Sequence, residues 1–141
     1  MCTSPQRPRL VRIVSPVDSS FHDLILVDSP KFHFVFQFGR NIEVYHLTIR
    51  GANLGSYDGI DAVGENYWIH DNEVSKIYTK IFRITADIAQ VTNRDECVCV
   101  KSPSHYALIE HNVCNQAGSG VSIGSLNVSA EISNIVSGLW S

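Results

Sequence analysis

The sequence has little charge, and less of it positive than negative. Its 141 residues include 11 lysines and arginines against 14 aspartates and glutamates, which gives a net charge of −3. A nucleic-acid surface needs a basic patch, and no basic run occurs, so we predict no nucleic-acid partner. No apolar stretch approaches the roughly 18 residues of a membrane span, so we predict no membrane partner. The opening residues, MCTSPQRPRLVR, also lack the apolar core and small-residue cleavage site of a recognisable signal peptide.

Hairpin and metal signals are scarce as well. Asp58-Gly59 is the one Asn-Gly or Asp-Gly pair, whereas an antiparallel sandwich turns about every 8 to 12 residues. The four cysteines fit no zinc spacing, because Cys97 and Cys99 are only two positions apart. We therefore predict no metal and no cofactor, and we do not expect a sandwich.

What the sequence does contain is a series of short apolar runs that favour strands. They are rich in Val, Ile, Phe and Tyr and are bounded by Asn, Asp, Gly, Ser and Pro. No strong amphipathic helical pattern competes with this strand pattern. Their spacing is the stronger signal, since three of four steps lie near the length of one solenoid coil, about 20 to 25 residues. The steps are 19, 24, 39 and 25 residues for the reference points Ile25, Val44, Trp68, Ala107 and Ile132. We predict an all-β solenoid of about five coils.

Three motifs occur in order: SYDGIDAVG at 56–64, NRDECVCVKS at 93–102 and GSGVSIGS at 118–125. They resemble the central motifs of glycoside hydrolase family 28, the polygalacturonases and rhamnogalacturonan hydrolases, whose usual forms are N-T-D-G-[FI]-D, [QN]-x-D-D-C and G-H-G-[LV]-S-I-G-S. The resemblance covers roughly residues 8 to 73 and 91 to 135. It implies a right-handed parallel β-helix, and an activity that hydrolyses the galacturonic-acid-containing backbone of pectin.

The departures from the polygalacturonase forms indicate a branch of that family. Glu96 follows Asp95 where polygalacturonases have a second aspartate, and Ser119 replaces a motif histidine. These changes, together with Lys101, look like the rhamnogalacturonan hydrolases, so the expected substrate alternates rhamnose and galacturonic acid.

The resemblance also implies roles for individual residues. Asp95 would be the general acid, while Asp58 and Glu96 would hold and deprotonate the attacking water. Enzymes of this type invert configuration, which calls for roughly 6.5 to 9.5 Å between acid and base. The remaining expected substrate-contacting residues are Asp61, Lys101 and Ser119. Taken alone, Asp58-Gly59 would be read as a turn and Asp95-Glu96 as a solvated strand end.

The resemblance matches Cys97 and Cys114 to a family disulfide, which implies an oxidising, extracellular setting. In such a setting Asn127, in the sequon Asn127-Val128-Ser129, becomes a glycosylation candidate. Cys99 shares a strand face with Cys97, so we expect it to pack in the core. We expect a monomer whose partner is the pectic polysaccharide.

The 39-residue step is about 17 residues too long for one coil. Residues 74–90 are therefore an expected insertion, either a retained intron translated in frame or a genuine loop. Residues 136–141 are expected to be a divergent tail, and 1–141 a single partial β-helix domain. Two functions remain open at this point. The chain is a pectin-backbone hydrolase, or it is a non-catalytic remnant or polysaccharide-binding solenoid fragment.

Overall fold

The computed structural model describes residues 7–51, 58–75, 95–115, 119–124 and 126–138. Every regular element in these ranges is a β-strand, and none of the described residues forms a helix able to cross a membrane. The strands are β1 Val11–Val14, β2 Val17–His22, β3 Ile25–Val27, β4 Phe34–Tyr45, β5 Thr48–Arg50, β6 Ile60–His70, β7 Glu73–Ser75, β8 Glu96–Glu110, β9 Val113–Asn115, β10 Ser119–Ile123 and β11 Ile132–Ser137.

All strand pairs are parallel, and each strand pairs with its counterpart from the next coil. The long strands form one sheet in the order β1-β4-β6-β8-β10, with β2 beside β4 and β11 beside β8. The short strands form a second sheet in the order β3-β5-β7-β9. The two sheets give four turns of a parallel solenoid, and β10 and β11 begin a further one. The expected all-β parallel β-helix is therefore confirmed.

The core consists of stacked rows of apolar side chains. Val44 aligns with Phe21 on one side and Ile69 on the other, and Ile69 aligns with Ile109. Val44, Ile69 and Ile109 are fully buried, and Phe21 packs against them from the open end. This row advances by 23, 25 and 40 residues, so the coil length inferred from sequence holds.

The five reference points used for that inference lie in five different rows, since Ala107 pairs with Tyr67 and Ile132 pairs with Ser104. Ile25 pairs with Thr48 in the short-strand sheet, and Trp68 pairs with Leu108 on the outer face. A one-residue slip in a strand moves a side chain to the opposite face, so average spacing fixes the coil length better than the register.

One corner of each coil has the same backbone conformation. Asp23, His46, Asp71 and His111 occupy successive coils and all have positive φ, between 50° and 55°. Aspartate, asparagine and histidine are the side chains that enter this left-handed region most readily. These polar residues therefore end the long strands and turn the chain toward the short ones.

The predicted insertion and tail begin inside described strands. Val74 and Ser75 belong to β7 and pair with both β5 and β9, whereas residues 76–90 lie outside the described residues. Similarly, Val136 and Ser137 pair with β8, and residues 139–141 lie outside. The insertion and the divergent tail stay predictions.

Candidate active site

Four acids and one lysine meet where β6 and β8 begin. Asp58 lies two residues before β6 and Asp61 is its second residue, while Glu96 opens β8 directly after Asp95. The Gly59 amide donates to the Glu96 carbonyl at 3.0 Å, and Asp61 pairs with Cys99 in the ladder. Parallel stacking thus places residues 37 positions apart in sequence on adjacent coils.

Gly59 makes this close approach of the two coils achievable. A Cβ atom at Gly59 would lie 2.6 Å from the Cys97 carbonyl oxygen and 2.8 Å from a Val74 methyl carbon. Any larger residue would push the coils apart. In the structure the Asp58-Gly59 pair therefore leads into a strand and does not form a hairpin turn.

Three of the carboxyls form one cluster. Asp58, Asp95 and Glu96 each offer an oxygen, and these oxygens lie within 4.8 Å of one another. Asp58 is 3% exposed, whereas Asp95 and Glu96 are only partly buried. The cluster therefore has a buried end at Asp58 and an accessible end at Asp95 and Glu96.

The cluster drives the pKa values of its members apart. Burial, followed by hydrogen bonds with Asp61 and Glu96, raises the pKa of Asp58 to about 8. Burial and a hydrogen bond with Glu96 raise the pKa of Asp95 to about 7. Hydrogen bonds from Asp95 and then Asp58 lower the pKa of Glu96 to about 2. Near pH 5 the cluster therefore holds two protonated aspartates and one ionised glutamate, the combination that acid/base chemistry requires.

Lys101 links the cluster to Asp61. Its ammonium donates to Asp58 Oδ2 and to Asp61 Oδ2, each at 3.0 Å, and lies 4.7 Å from the centre of the Phe32 ring. Burial lowers the pKa of Lys101, but the carboxyls of Asp61 and Asp58 outweigh it and raise the pKa above its ordinary value. The lysine expected to contact substrate thus has two of its donors engaged by acids of the chain.

Asp61 retains one unused acceptor. Its Oδ1 is buried and has no hydrogen-bond partner among the described residues, although its Oδ2 accepts from Lys101. A buried oxygen without a partner costs free energy. Lys101 therefore holds Asp61 through Oδ2, while Oδ1 has no hydrogen bond within the described residues.

Cys99 is buried, as expected, and its sulfur faces the acids. Its sulfur accepts a hydrogen bond from Ser122 Oγ at 3.4 Å and lies near the carboxyls of Asp58 and Asp61. Burial raises the pKa of this thiol to about 11. Cys97, Val98 and Val100 belong to the apolar core cluster and Cys99 does not, so the start of β8 departs from the simple alternation that predicted one face for both cysteines.

The structure forms the disulfide between Cys97 and Cys114, with their Cα atoms 5.7 Å apart, and it joins the long-strand sheet to the short-strand sheet. Ser119 pairs with Glu96 from the next coil and is exposed beside the acids. Asn127 is also exposed, on a turn where its Oδ1 accepts from the Ser129 amide.

Two residues near the acids carried no signal in the sequence. The Phe32 ring contacts Lys101, and the buried His33 amide donates to the Asp58 carbonyl at 3.3 Å. Burial lowers the pKa of His33, which favours the uncharged form of its ring. Both precede β4, and only the coil register could have shown that they lie beside Asp58.

The same side chains include the groups best suited to a metal ion. Asp58, Asp61 and Cys99 form one such group, and Asp58, Asp95 and Glu96 form another. Lys101 already places its positive charge against Asp58 and Asp61. In this geometry a side chain of the protein itself is therefore the positive partner of these two carboxyls.

Comparison with known proteins gave consistent matches. The family model described as glycosyl hydrolases family 28 matches residues 2–140. The chain is 49% identical over 129 residues to "Probable rhamnogalacturonase E" of Aspergillus niger, covering 92% of this chain and 25% of that protein. It is 45% identical over 133 residues to "Rhamnogalacturonase A" of Emericella nidulans, covering 94% and 23%. "Probable rhamnogalacturonase B" of Aspergillus fumigatus is 46% identical over 128 residues, covering 91% and 21%. The chain thus spans about a quarter of the length of these relatives.

Proposed function

The chain belongs to glycosyl hydrolases family 28, and from that premise we propose that it hydrolyses the rhamnogalacturonan backbone of pectin by acid/base catalysis. The observation that carries the proposal is the cluster of Asp58, Asp95 and Glu96, whose side-chain oxygens lie within 4.8 Å of one another and whose pKa values are displaced in opposite directions. The names of three curated relatives support the choice of rhamnogalacturonan over polygalacturonan.

Asp95 is the general acid in this proposal. Its pKa of about 7 keeps it protonated in mildly acidic solution, and it lies at the accessible end of the cluster. Asp58 is also protonated but is buried and held by Lys101, so it cannot reach a leaving group. Asp95 donates its proton to the glycosidic oxygen as the bond to the anomeric carbon breaks.

Glu96 is the general base. With a pKa of about 2 it is ionised between about pH 2 and pH 7, a range in which Asp95 keeps its proton. It takes a proton from water as the water oxygen bonds to the anomeric carbon, and Asp58 orients that water. The products are two shorter chains, one with a new reducing end.

The spacing of the acids bears on the stereochemistry. Inverting enzymes hold acid and base roughly 6.5 to 9.5 Å apart, and retaining enzymes about 5 to 5.5 Å apart. Here the nearest oxygens lie within 4.8 Å, and Asp95 and Glu96 share a hydrogen bond. We propose inversion, with the substrate replacing that hydrogen bond and separating the two carboxyls. Proton NMR of the first anomer released tests this step.

We further propose that the protein works outside the cell as a monomer. The Cys97–Cys114 disulfide supports the location, because such bridges persist in oxidising compartments. The exposed Asn127 is the proposed glycosylation site in that setting.

The experiment is to incubate the purified chain with rhamnogalacturonan and with polygalacturonan, and to count new reducing ends. We expect release from rhamnogalacturonan, and none when the chain carries Asp95→Asn. Release from polygalacturonan alone would refute the substrate. Binding to rhamnogalacturonan without any release would favour the non-catalytic, polysaccharide-binding function.

A further inference from the structure

A polysaccharide that carries a carboxylate on alternate sugars needs a cation in its binding site. Lys101 is poorly placed to provide it, because two of its donors hold Asp58 and Asp61 and its third side faces the Phe32 ring. The ionised Glu96 of the neighbouring acid cluster would repel a substrate carboxylate at the same point. The substrate carboxylate must therefore be held elsewhere along the solenoid.

Two further cations surround the same Phe32 ring. The Lys31 ammonium lies 5.3 Å from the ring centre, and the Arg9 guanidinium carbon lies 5.5 Å from it. Both distances are typical of cation–π contacts, which position the charges without neutralising them. The Phe32 ring thus contacts three cations, Lys31, Arg9 and Lys101.

Backbone hydrogen bonds place these groups in one column with the acids. The Leu10 amide donates to the Phe32 carbonyl, the His33 amide donates to the Asp58 carbonyl, and the Gly59 amide donates to the Glu96 carbonyl. Arg9, Phe32, Asp58 and Glu96 therefore belong to four successive coils. Coils in a parallel stack are about 4.8 Å apart, so Lys31 lies roughly one coil and Arg9 roughly two coils from Asp58.

Neither cation has an acidic partner in the described part of the chain. No carboxylate of those residues lies within ion-pair distance of Lys31 or Arg9, and Arg9 Nε is buried without a hydrogen-bond partner. By contrast, Arg12 donates twice to Gln37. A planar guanidinium and a nearby ammonium match the geometry and charge of a carboxylate.

We propose that Arg9 and Lys31 form a subsite for the carboxylate of a galacturonic acid residue, one or two coils from the catalytic acids. The proposal rests on the proposed function for the identity of the sugar. With the carboxylate bound there, the chain of sugars runs along the solenoid axis, and the next glycosidic bonds lie over Asp95 and Glu96.

The test measures binding to the chain carrying Glu96→Gln, which keeps the ligand intact. Titration calorimetry compares a rhamnogalacturonan oligosaccharide with the same oligosaccharide whose carboxyls have been reduced to alcohols. We expect Lys31→Met and Arg9→Gln each to weaken binding of the native ligand by about tenfold, and to leave binding of the reduced ligand unchanged. Arg40→Gln is the matched control, because Arg40 is exposed on the far half of β4, and it should change neither.

Several outcomes overturn the subsite. It is wrong if native and reduced ligands bind equally well, if neither binds, or if both variants weaken the two ligands to the same extent. Its failure is distinguishable from failure of the proposed function by assaying the chain with Glu96 intact. Hydrolysis with an unchanged KM in Lys31→Met refutes the subsite alone. Carboxylate-dependent binding without hydrolysis refutes the activity and leaves the subsite supported.

Discussion

Two groups of buried polar side chains stack across neighbouring coils, and they differ in what surrounds them. Asn72 and Asn112 form a ladder: the Leu47 amide donates to Asn72 Oδ1, and the Asn72 side chain donates to Asn112 Oδ1 and to the Val44 carbonyl. The Asn112 side chain in turn donates to the carbonyls of Ile69 and Glu110. These neutral side-chain amides thus form hydrogen bonds with backbone groups of the neighbouring coils.

The acid cluster uses the same stacking for the opposite result. Its carboxyls face one another, Asp61 Oδ1 has no partner in the described structure, and the pKa values of Asp58 and Glu96 are displaced in opposite directions. In this parallel β-helix, stacked polar side chains that hydrogen-bond to the backbone stabilise the fold. Stacked carboxyls that face one another have displaced pKa values, and these are the groups suited to catalysis.

Asp95→Asn tests the reactive side of the comparison and should have the largest effect. Loss of the general acid is expected to lower the rate of rhamnogalacturonan hydrolysis by roughly 100- to 10,000-fold. The thermal midpoint should hardly change, because Asp95 is partly exposed. Asp71→Asn, at an exposed turn, is the control for loss of a carboxyl. Hydrolysis at the normal rate would show that Asp95 is not the acid.

Asn72→Ala tests the structural side. The change leaves the Leu47 amide and the Val44 carbonyl without partners in the core, so the free energy of unfolding should fall by about 3 kcal/mol, measured by urea denaturation. Asn66→Gly is the control, because the side chain of the exposed Asn66 donates to the Asn41 side chain and not to backbone within the described residues, and its φ of 53° suits glycine. An equal loss of stability in both variants would contradict the expectation that the buried asparagine contributes more to stability than the exposed one.

The two regions should also separate in the pH dependence of stability. The pKa of Glu96 is lowered to about 2, so its contribution is present above about pH 4.5 and is lost as the pH falls through 2. The raised pKa values of Asp95 and Asp58 make the folded chain hold protons that the unfolded chain releases near pH 4. Stability should therefore peak near pH 4 and decline toward pH 8. Asp58→Asn should flatten that decline, and Asn112→Asp, placing a carboxyl in the ladder, should steepen it.

Lys101→Met is the subtlest test, since it leaves every carboxyl in place. The Lys101 charge lowers the pKa of Asp58, although by less than burial raises it. Without that charge the pKa of Asp58 should rise above about 8, as followed by carbon NMR of the labelled carboxyl, and Lys101→Arg should keep it near its original value. An unchanged pKa in Lys101→Met would mean that the lysine serves the substrate and not the cluster.

Much of the fold and part of the site could be predicted from the sequence. The recurrence of strands every 23 to 25 residues is encoded in apolar spacing, and the acids are encoded in three motifs. The environments of Lys101 and Cys99 could not be derived in the same way. They depend on which residue of one coil lies against which residue of the next, and on the departure from simple alternation at the start of β8. A one-residue error in register moves a side chain from the core to the outer face, as it did for Trp68.

The register on both sides of residues 76–94 has a practical consequence. The row through Ile69 and Ile109 spans 40 residues where the previous step spans 25, yet β6 and β8 pair over almost their full length. The longer interval between β6 and β8 thus leaves the rows on either side aligned. The interval between Ser75 and Asp95 is therefore the place to exchange segments of different length beside the acids, on a scaffold whose row register stays the same.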